Sequence, residues 1–243
     1  MTDWQGKTYW LIGASEGLGA ALALKLSKVG ANVVLSARDE DALEHLANQL
    51  PGKATVLPLD VTDPKELRNA ADSLGDLDGM VYLAGAYWPF GAQDWDDEKA
   101  QTMADVNFGG AMRAVGAVLP RMQERGEGHI VLTGSLTAYG GLPGAAPYVA
   151  TKAVIMALAE SLRCDLRGTK IKVQLLNPGY IKTRLTEKND FAMPGIMEPD
   201  KAAQICLEHM GSDGFSRAFP TWFSLIFRGA RFLPNWMYFR LFR

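Results

Sequence analysis

Short apolar runs alternate with stretches of helical periodicity from one end of the chain to the other. Strands are predicted where aliphatic and β-branched residues cluster, at 8–12, 31–36, 54–59, 77–83, 129–133 and 171–176. Helices are predicted at 20–29, 40–50, 64–74, 97–124 (one helix or a pair) and 148–167, with another beginning near residue 199. Strands that alternate with helices form a parallel sheet with right-handed crossovers. The pattern therefore predicts an α/β fold, a doubly wound parallel sheet with helices on both faces, in one domain (1–243).

Composition narrows the class of protein. A chain of 243 residues is long enough to bury one sizeable core, and a net charge of −2 gives no reason to expect nucleic acid as a partner. Cys164 and Cys206 lack the spacing of a metal site or a disulfide framework, which favours a reducing compartment. We expect His45, His129 and His209 at the surface or in turns, and no metal site. Without signal-peptide features or a membrane span, the prediction is a cytoplasmic protein.

A glycine-rich turn follows the first predicted strand. Gly13, Gly17 and Gly19 stand between that strand and the helix 20–29. In this context the first glycine would permit a tight turn. The second would let the backbone approach a pyrophosphate, and the third would let helix and strand pack closely. The spacing departs from the commoner Gly-x-Gly-x-x-Gly, so an ordinary glycine-rich turn stays the alternative. The motif predicts a dinucleotide site, to which Ser15, Glu16 and Leu18 would also contribute.

The end of the second strand bears on which dinucleotide binds. An NAD-selective site usually has a carboxylate here for the ribose 2′-hydroxyl, but this chain has Ala37 followed by Arg38. A guanidinium suits a 2′-phosphate, so Arg38 favours NADP(H) over NAD(H). Glu16 opposes this unless its carboxylate turns outward, because it would repel a phosphate. Asp39 is interpreted as the N-cap of the next helix.

Tyr148 and Lys152 lie four residues apart at the start of a predicted helix. Positions i and i+4 share a helix face, so the phenol and the ammonium can point into one cleft. A phenol has a pKa near ~10, and a neighbouring ammonium should lower it towards the working range. The spacing alone also occurs by chance on exposed helix faces.

Further motifs follow in a fixed order: Asp60-Val61, Ala84-Gly85, Asn107, Ser135, the Tyr148/Lys152 pair and Asn177-Pro178-Gly179-Tyr180-Ile181-Lys182-Thr183. With this set, spread over about residues 7–183, the chain resembles the compact, single-domain members of the short-chain dehydrogenase/reductase family. The resemblance implies a Rossmann-like fold and NAD(P)-dependent transfer of hydride between a carbonyl and an alcohol. It also implies that Asp60 and Val61 lie near the adenine and that Ala84 and Gly85 contribute to cofactor binding. Pro178, Gly179, Ile181 and Thr183 would belong to a loop over the nicotinamide.

The resemblance also implies catalytic roles. Tyr148 would exchange a proton with the substrate oxygen while Ser135 donates a hydrogen bond to it. Lys152 would lower the tyrosine pKa and hold the nicotinamide ribose, and Asn107 would hold a water that links Lys152 to solvent. Asn107 has a purely structural alternative. Thr133 and Thr137 are rival hydroxyls to Ser135.

Substrate and activity are predicted more coarsely. The segment 184–210 corresponds to the family's substrate lid, and its Phe191, Met193, Ile196 and Met197 favour an apolar small-molecule carbonyl or alcohol. The alternative is that these residues only pack the lid onto the domain. The predicted function is an NADP(H)-preferring oxidoreductase. The alternative is a non-catalytic NADP(H)-binding redox sensor, against which the intact Tyr148/Lys152 pair counts. An epimerase or dehydratase of the longer family branch is disfavoured by the chain length and glycine spacing.

The C-terminal segment 215–243 differs from the rest of the chain. It contains five arginines and ten aromatic residues but no acidic residue. Such a composition is typical of a helix at an anionic membrane surface, so peripheral membrane contact is one hypothesis. An interface in a homo-oligomer, or a cover over the substrate pocket, is the alternative. We expect a homo-oligomer.

Overall fold

The computed structural model describes residues 3–242. In this range the chain forms a sheet of seven parallel strands. The strands are β1 Thr8–Ile12, β2 Asn32–Ser36, β3 Ala54–Val56, β4 Gly79–Tyr82, β5 Glu127–Thr133, β6 Lys170–Pro178 and β7 Ser216–Phe219. The helices are α1 Gly17–Lys28, α2 Glu40–Ala47, α3 Pro64–Ser73, α4 Asp97–Ala104, α5 Gly110–Arg125, α6 Ala146–Asp165, α7 Pro199–Met210, α8 Thr221–Ala230 and α9 Asn235–Leu241.

The strand order confirms the predicted doubly wound, Rossmann-like fold. It runs β3-β2-β1-β4-β5-β6-β7, so the chain moves outward from β1 in one direction and then, from β4, in the other. Ligands of such sheets bind where the direction changes, beyond the carboxyl ends of the strands. That position lies between β1 and β4 and is where the glycine turn begins.

Two apolar layers cover the two faces of the sheet. Successive side chains of a strand point to opposite faces, and on β1 Trp10 joins one core cluster while Tyr9 joins the other. The first cluster includes buried residues of α3, α5 and α6, and the second includes those of α1, α2 and α7. Helix α7 packs on α1, so the second half of the predicted lid segment is part of the core.

The predicted helix or pair at 97–124 is interrupted by a single π-helical turn. Helix α4 passes through Asp105–Gly109, where the backbone widens to the π form, into α5. Such turns carry one extra residue and often mark functional sites. Asn107, one of the predicted catalytic residues, lies within this turn and is buried.

Two predictions about local environment were wrong. His129 and His209 are buried rather than at the surface, whereas His45 is exposed as expected. The segment 215–243 also begins with a strand, β7, whose register pairs Leu175 of β6 with Ser216. Its apolar residues lack the length and alternation that mark a strand, so only the neighbouring β6 explains this conformation.

None of the helices in residues 3–242 combines the length and apolar character needed to cross a membrane. Over the same residues there is no group of histidine, cysteine and acidic side chains arranged to hold a metal ion.

Candidate active site

Most of the predicted site residues lie at or beyond the carboxyl ends of strands β1 to β6, and the others lie on helices. In a parallel sheet these ends meet at one edge, which gathers residues that are far apart in sequence. The glycine turn follows β1, Arg38 follows β2, and Ala84 follows β4. Ser135 follows β5, and Pro178 ends β6.

Close packing explains the three glycines. A side chain at Gly13 would meet the backbone of Ala84 after β4, and one at Gly19 would meet the carbonyl of Gly13. Gly13 and Gly17 also have φ values of +96° and +54°, which favour glycine. At Gly17 an added Cβ would stand 2.7 Å from the Thr183 methyl group, because Thr183 lies directly over the turn. The backbone here cannot accept larger residues without moving.

The start of α1 provides hydrogen-bond donors that fit a pyrophosphate. The first intrahelical bond runs from the Ala20 amide to the Glu16 carbonyl, and the Glu16 side chain does not cap the helix. In the described structure the amides of Gly17, Leu18 and Gly19 therefore donate to no protein acceptor. Free amides at a helix N-terminus attract phosphate oxygens, so the turn fits the dinucleotide predicted from the sequence.

Arg184 is a neighbour of this turn that the sequence analysis missed. Its guanidinium forms an ion pair with the carboxylate of Glu16, and this contact raises the pKa of Arg184. Glu16 is thereby turned towards the loop after β6 and is paired with a cation, which reduces its repulsion of a phosphate. A carboxylate such as Glu16 in a phosphate-binding turn indicates that a cation lies near it. The sequence does not identify Arg184 as that cation.

Arg38 and Asp39 lie where the sequence analysis placed them. Arg38 is exposed at the end of β2, and no ion pair in the described part of the chain uses it. The Asp39 carboxylate accepts from the Ala42 amide (3.0 Å), as an N-cap of α2 should. Ser15 is partly exposed in the glycine turn. The guanidinium of Arg38 is therefore free to receive an anionic group.

The turn after β3 holds the two residues expected near an adenine. Asp60 accepts hydrogen bonds from the amide (2.9 Å) and hydroxyl (2.8 Å) of Thr62, which fixes the turn. Val61 is buried against the position of Gly110 at the start of α5. The contacts of both residues with a cofactor stay predictions.

Asn107 joins the loop after β4 to helix α6. Its amide oxygen accepts from the Ala86 amide (2.7 Å), and its amide nitrogen donates to the Ala86 carbonyl (3.0 Å) and to the Thr151 hydroxyl (3.0 Å). Thr151 in turn donates to the Tyr148 carbonyl (2.7 Å). These bonds hold the first turn of α6 against the loop that begins at Ala84 and Gly85. The predicted role of Asn107 in holding a water stays a prediction.

Ser135, Tyr148 and Lys152 converge beyond β5. Ser135 precedes a short 3₁₀ helix, Leu136–Tyr139, and its hydroxyl accepts from the Thr137 amide (3.2 Å). The Lys152 ammonium donates to the Thr133 carbonyl (3.0 Å) and stands 5.7 Å from the centre of the Tyr148 ring. The spacing of four residues on α6 thus places both polar groups on the side that faces β5.

Burial dominates the protonation of this cluster. It raises the pKa of Tyr148 to about 12, and a hydrogen bond with the Ser135 side chain acts in the opposite direction. Burial also lowers the pKa of Lys152 to about 8. The expected lowering of the tyrosine pKa was wrong for this arrangement, because loss of solvent around the phenol, with Tyr87 and Tyr180 acting in the same direction, outweighs the hydrogen bond with Ser135. A neutral phenol is the form that can donate a proton.

Ser135 is better placed than Thr133 or Thr137 to act together with Tyr148. It is the hydroxyl that interacts with Tyr148, whereas the Thr133 and Thr137 hydroxyls are buried without a protein partner in the described structure. The amide oxygen of Asn177, at the end of β6, is also buried without one. Buried polar groups are almost always paired, so this concentration of unpaired oxygens near Ser135 marks a site rather than a core.

The segment after β6 forms one wall of the cleft. The Gly179 amide donates to the Phe219 carbonyl (2.7 Å) and continues the pairing of Pro178 with β7. Ile181 is buried and pairs with Met197, which fixes the base of the predicted lid. Thr183 then reaches the glycine turn, so this wall extends from β6 to α1.

Aromatic side chains lie next to the candidate proton donor. The Tyr87 ring meets the Tyr148 ring edge to face, with centroids 4.9 Å apart. The Tyr87 hydroxyl donates to Asn189 (2.9 Å), and the Lys188 ammonium donates to the Tyr87 carbonyl (2.8 Å). The loop after β4 is thereby tied to the lid. Tyr180 packs near Phe191 on the same side, which leaves the approach to Tyr148 mostly apolar.

Comparisons with known proteins agree with this geometry. The family model described as short chain dehydrogenase matches residues 7–193. An uncharacterized oxidoreductase of Myxococcus xanthus (strain DK1622) is 36% identical over 242 residues, which cover 97% of this chain and 96% of that protein. The 1-deoxy-11-beta-hydroxypentalenate dehydrogenase of Streptomyces exfoliatus is 34% identical over 217 residues, covering 84% of this chain and 79% of that one.

Solved structures share the whole architecture. A short-chain dehydrogenase from Streptomyces avermitilis superposes with a TM-score of 0.83 at 25% identity, covering 93% of this chain and 91% of that chain. A short-chain dehydrogenase from Burkholderia cenocepacia J2315, in complex with NADP, gives 0.88 at 22% identity and covers both chains completely. The second likeness concerns the fold alone.

Proposed function

The chain belongs to the short-chain dehydrogenase/reductase family of NAD(P)-dependent oxidoreductases, and on that premise we propose that it interconverts a carbonyl and a secondary alcohol, with Tyr148 exchanging the proton. The observation that carries this proposal is the cluster formed by the buried Ser135 and Lys152 with the half-buried Tyr148, beside an apolar approach. Neither the amphipathic face of a helix nor a stable core requires a buried ammonium next to a phenol that faces a cleft.

Each residue of the cluster would have a separate role in the reaction. A nicotinamide cofactor, bound along the glycine turn, would supply the hydride. Tyr148 would give its proton to the substrate oxygen as negative charge develops there, and Ser135 would donate a hydrogen bond to the same oxygen. Lys152 would stabilise the phenolate that remains, since an ammonium favours the charged form of a neighbouring phenol. In the oxidation direction the same groups would act in reverse.

We further propose a preference for NADP(H). The exposed and unpaired Arg38 at the end of β2 suits a 2′-phosphate, and Arg184 neutralises the one carboxylate in the glycine turn. Replacing Arg38 by Ala should weaken NADPH binding about 10- to 100-fold, as expected for a charged hydrogen bond, and leave NADH binding nearly unchanged. Dissociation constants measured by cofactor fluorescence, with Arg68→Ala as an exposed control, test this. Equal losses for both cofactors would contradict it.

The substrate is proposed to be apolar. The approach to Tyr148 is lined by Tyr87, Tyr180 and Phe191, and the lid over it carries further apolar residues. The name of the Streptomyces exfoliatus relative denotes a dehydrogenase of a hydroxylated compound, which supports an alcohol or the matching carbonyl as the reacting group.

The decisive experiment is consumption of NADPH and of NADH with a panel of carbonyl compounds, from small aldehydes to polycyclic ketones. We expect turnover with NADPH and larger rates with the apolar members of the panel. Tyr148→Phe should lower turnover by about 10²- to 10⁴-fold, because general acid catalysis is lost, while NADPH still binds. A variant as active as the natural enzyme would exclude Tyr148 as the proton donor. Binding of NADPH without turnover of any panel member would favour the redox-sensor alternative.

A further inference from the structure

The outer surface of the C-terminal helices is apolar where a surface helix is normally polar. Helix α8 buries Phe223 and Phe227 against the short helix that follows Ser135. Its opposite side exposes Trp222, Leu225 and Ile226 to solvent. When a helix is apolar on both sides, its own domain buries only one of them. The other side is expected to contact a partner or a membrane.

The apolar surface continues onto α9 and the turn before it. Phe232, Trp236 and Phe239 are 89%, 70% and 68% exposed. These exposures are too large and too close in sequence for isolated surface residues. Tyr238 anchors α9 from the other side, where its hydroxyl donates to the Gly141 carbonyl (2.7 Å). The helix is therefore held in place with its large apolar side chains directed outward.

The charges of this surface have one sign. Arg228, Arg231 and Arg240 are exposed among the apolar side chains, and no ion pair of the described residues involves them. The segment has no acidic residue in its sequence. Arginines interleaved with exposed tryptophan and phenylalanine match a lipid surface with anionic headgroups, where the guanidinium meets phosphate and the rings enter the interface.

The same surface borders the approach to the candidate active site. Trp222 lies against the lid, since a Cβ at Gly195 would stand 2.9 Å from its ring. Phe191 and Ile196 of the lid are also exposed, and they extend the apolar surface. Tyr180 connects this area to the interior, because it packs on Phe223.

We propose that α8, α9 and the exposed edge of the lid form a docking surface for an anionic lipid bilayer. A second copy of the chain is the less favourable occupant. A symmetric dimer would bring the same patch of both copies together, and with it the arginines of 215–243, a segment that has no side-chain carboxylate to pair with them. Anionic lipid supplies both the apolar layer and the opposite charge. Docking in this way turns the lid and the approach to Tyr148 towards the membrane, where apolar carbonyl compounds dissolve.

Flotation of the full-length protein with lipid vesicles tests the proposal. The probes are vesicles of phosphatidylcholine alone and of phosphatidylcholine mixed with phosphatidylglycerol. We expect binding to the mixed vesicles, weaker binding to the neutral ones, and loss as salt is raised, because the Debye length falls below about 10 Å above 0.1 M. Vesicles with brominated acyl chains should quench tryptophan fluorescence in the natural protein.

Two double variants separate the apolar contribution from the electrostatic one. Trp236→Ser with Phe239→Ser should abolish the bromolipid quenching that comes from α9 and lower binding to both kinds of vesicle. Arg231→Glu with Arg240→Glu should lower binding to anionic vesicles by at least about tenfold for each reversed charge, and should change binding to neutral vesicles little.

Matched controls carry the same substitutions elsewhere. Trp95→Ser replaces another exposed tryptophan, and Arg68→Glu reverses another exposed arginine. Both should bind vesicles like the natural protein, and thermal melting should confirm that all variants are folded. Failure of the natural protein to bind anionic vesicles, or equal binding of all variants, would overturn the proposal. The proposal would also be overturned if the natural protein did not bind vesicles but formed an oligomer, and if the Trp236→Ser/Phe239→Ser variant did not form that oligomer. The surface would then be an interface between two copies of the chain.

Discussion

Strands β5 and β6 carry a buried polar cluster at each of their two ends, and the two clusters differ in how their hydrogen bonds are satisfied. The basal cluster consists of Tyr9, His129 and Gln174, near the start of the strands. The active-site cluster consists of Thr133, Lys152 and Asn177, at their carboxyl ends. Both clusters are buried at the same sheet, so burial alone does not separate structural from functional polar groups.

The basal cluster uses its polar atoms fully. Gln174 donates through its amide nitrogen to the carbonyls of His209 (2.9 Å) and Gly214 (2.6 Å), so its oxygen accepts from Nε2 of His129 (2.8 Å). This leaves Nδ1 of His129 to accept from the Tyr9 hydroxyl (2.9 Å). Burial lowers the pKa of His129 to about 3, which keeps the imidazole neutral and this pattern intact.

The active-site cluster leaves several of its polar atoms without hydrogen-bond partners. The Thr133 hydroxyl and the Asn177 amide oxygen have no protein partner, and the Lys152 ammonium donates only to the Thr133 carbonyl among the described residues. Unsatisfied buried groups cost stability, and they are retained where a ligand or substrate needs them. The difference is what we expect if the basal cluster stabilises the sheet and the active-site cluster, as proposed, keeps bonding capacity for a cofactor or substrate.

The largest effect on stability is expected at the basal cluster. His129→Leu would leave the Tyr9 hydroxyl and the Gln174 amide oxygen buried without a partner, at about 1–3 kcal/mol each. We therefore expect the free energy of unfolding, measured in urea, to fall by about 2–6 kcal/mol. Turnover per folded molecule should not change, because the cluster is at the far end of the strands. The control His45→Leu removes an exposed imidazole and should change the free energy of unfolding little. An equal loss of stability in the two variants would show that the hydrogen bonds of His129 are not the cause.

Lys152→Met should have an effect of the opposite sign that depends on pH. Burial holds the pKa of Lys152 at about 8 in the folded protein, below its ordinary 10.5. Between these values the unfolded chain binds more protons, so the natural protein gains stability as pH rises. Below pH 8 the charged, buried ammonium costs roughly 3 kcal/mol, at about 1.4 kcal/mol per pKa unit.

Urea unfolding of both proteins from pH 7 to 11 measures this difference. The stability of Lys152→Met relative to the natural protein should be greatest at pH 7 and decline across the window, while turnover is lost throughout. A difference that stays constant with pH would show that Lys152 does not bear a buried charge.

The smallest effect is expected at an unpaired hydroxyl. Thr133→Val keeps the side-chain shape and removes an oxygen that has no partner, so stability should change by less than about 1 kcal/mol, towards a gain. Ser36 provides the contrast, because its hydroxyl accepts from the Trp10 indole (2.8 Å) and donates to the Leu57 carbonyl (2.7 Å). Ser36→Ala should cost about 1–3 kcal/mol in the same unfolding measurement. Similar losses for both variants would argue against unsatisfied bonding at Thr133.

Local sequence patterns determined the parts of the molecule that depend on near neighbours. Strand β1 was predicted at its observed bounds, and the Asp39 cap and the close packing of Gly19 agree with their predicted reasons. The alternation of predicted strands and helices along the chain was sufficient to predict the doubly wound sheet. These features follow from backbone sterics and from side-chain periodicity, which a linear sequence records directly.

Only the tertiary structure decided which distant residues meet. It paired Glu16 with Arg184, buried His129 between Tyr9 and Gln174, and added β7 to the edge of β6. It also raised the pKa of Tyr148, because the fold removes solvent from the phenol and brings Tyr87 and Tyr180 near it. A sequence states which groups are present and in what local order. Partners, burial and the local dielectric depend on contacts across the fold, and these determine whether a polar side chain stabilises the protein or takes part in its reaction.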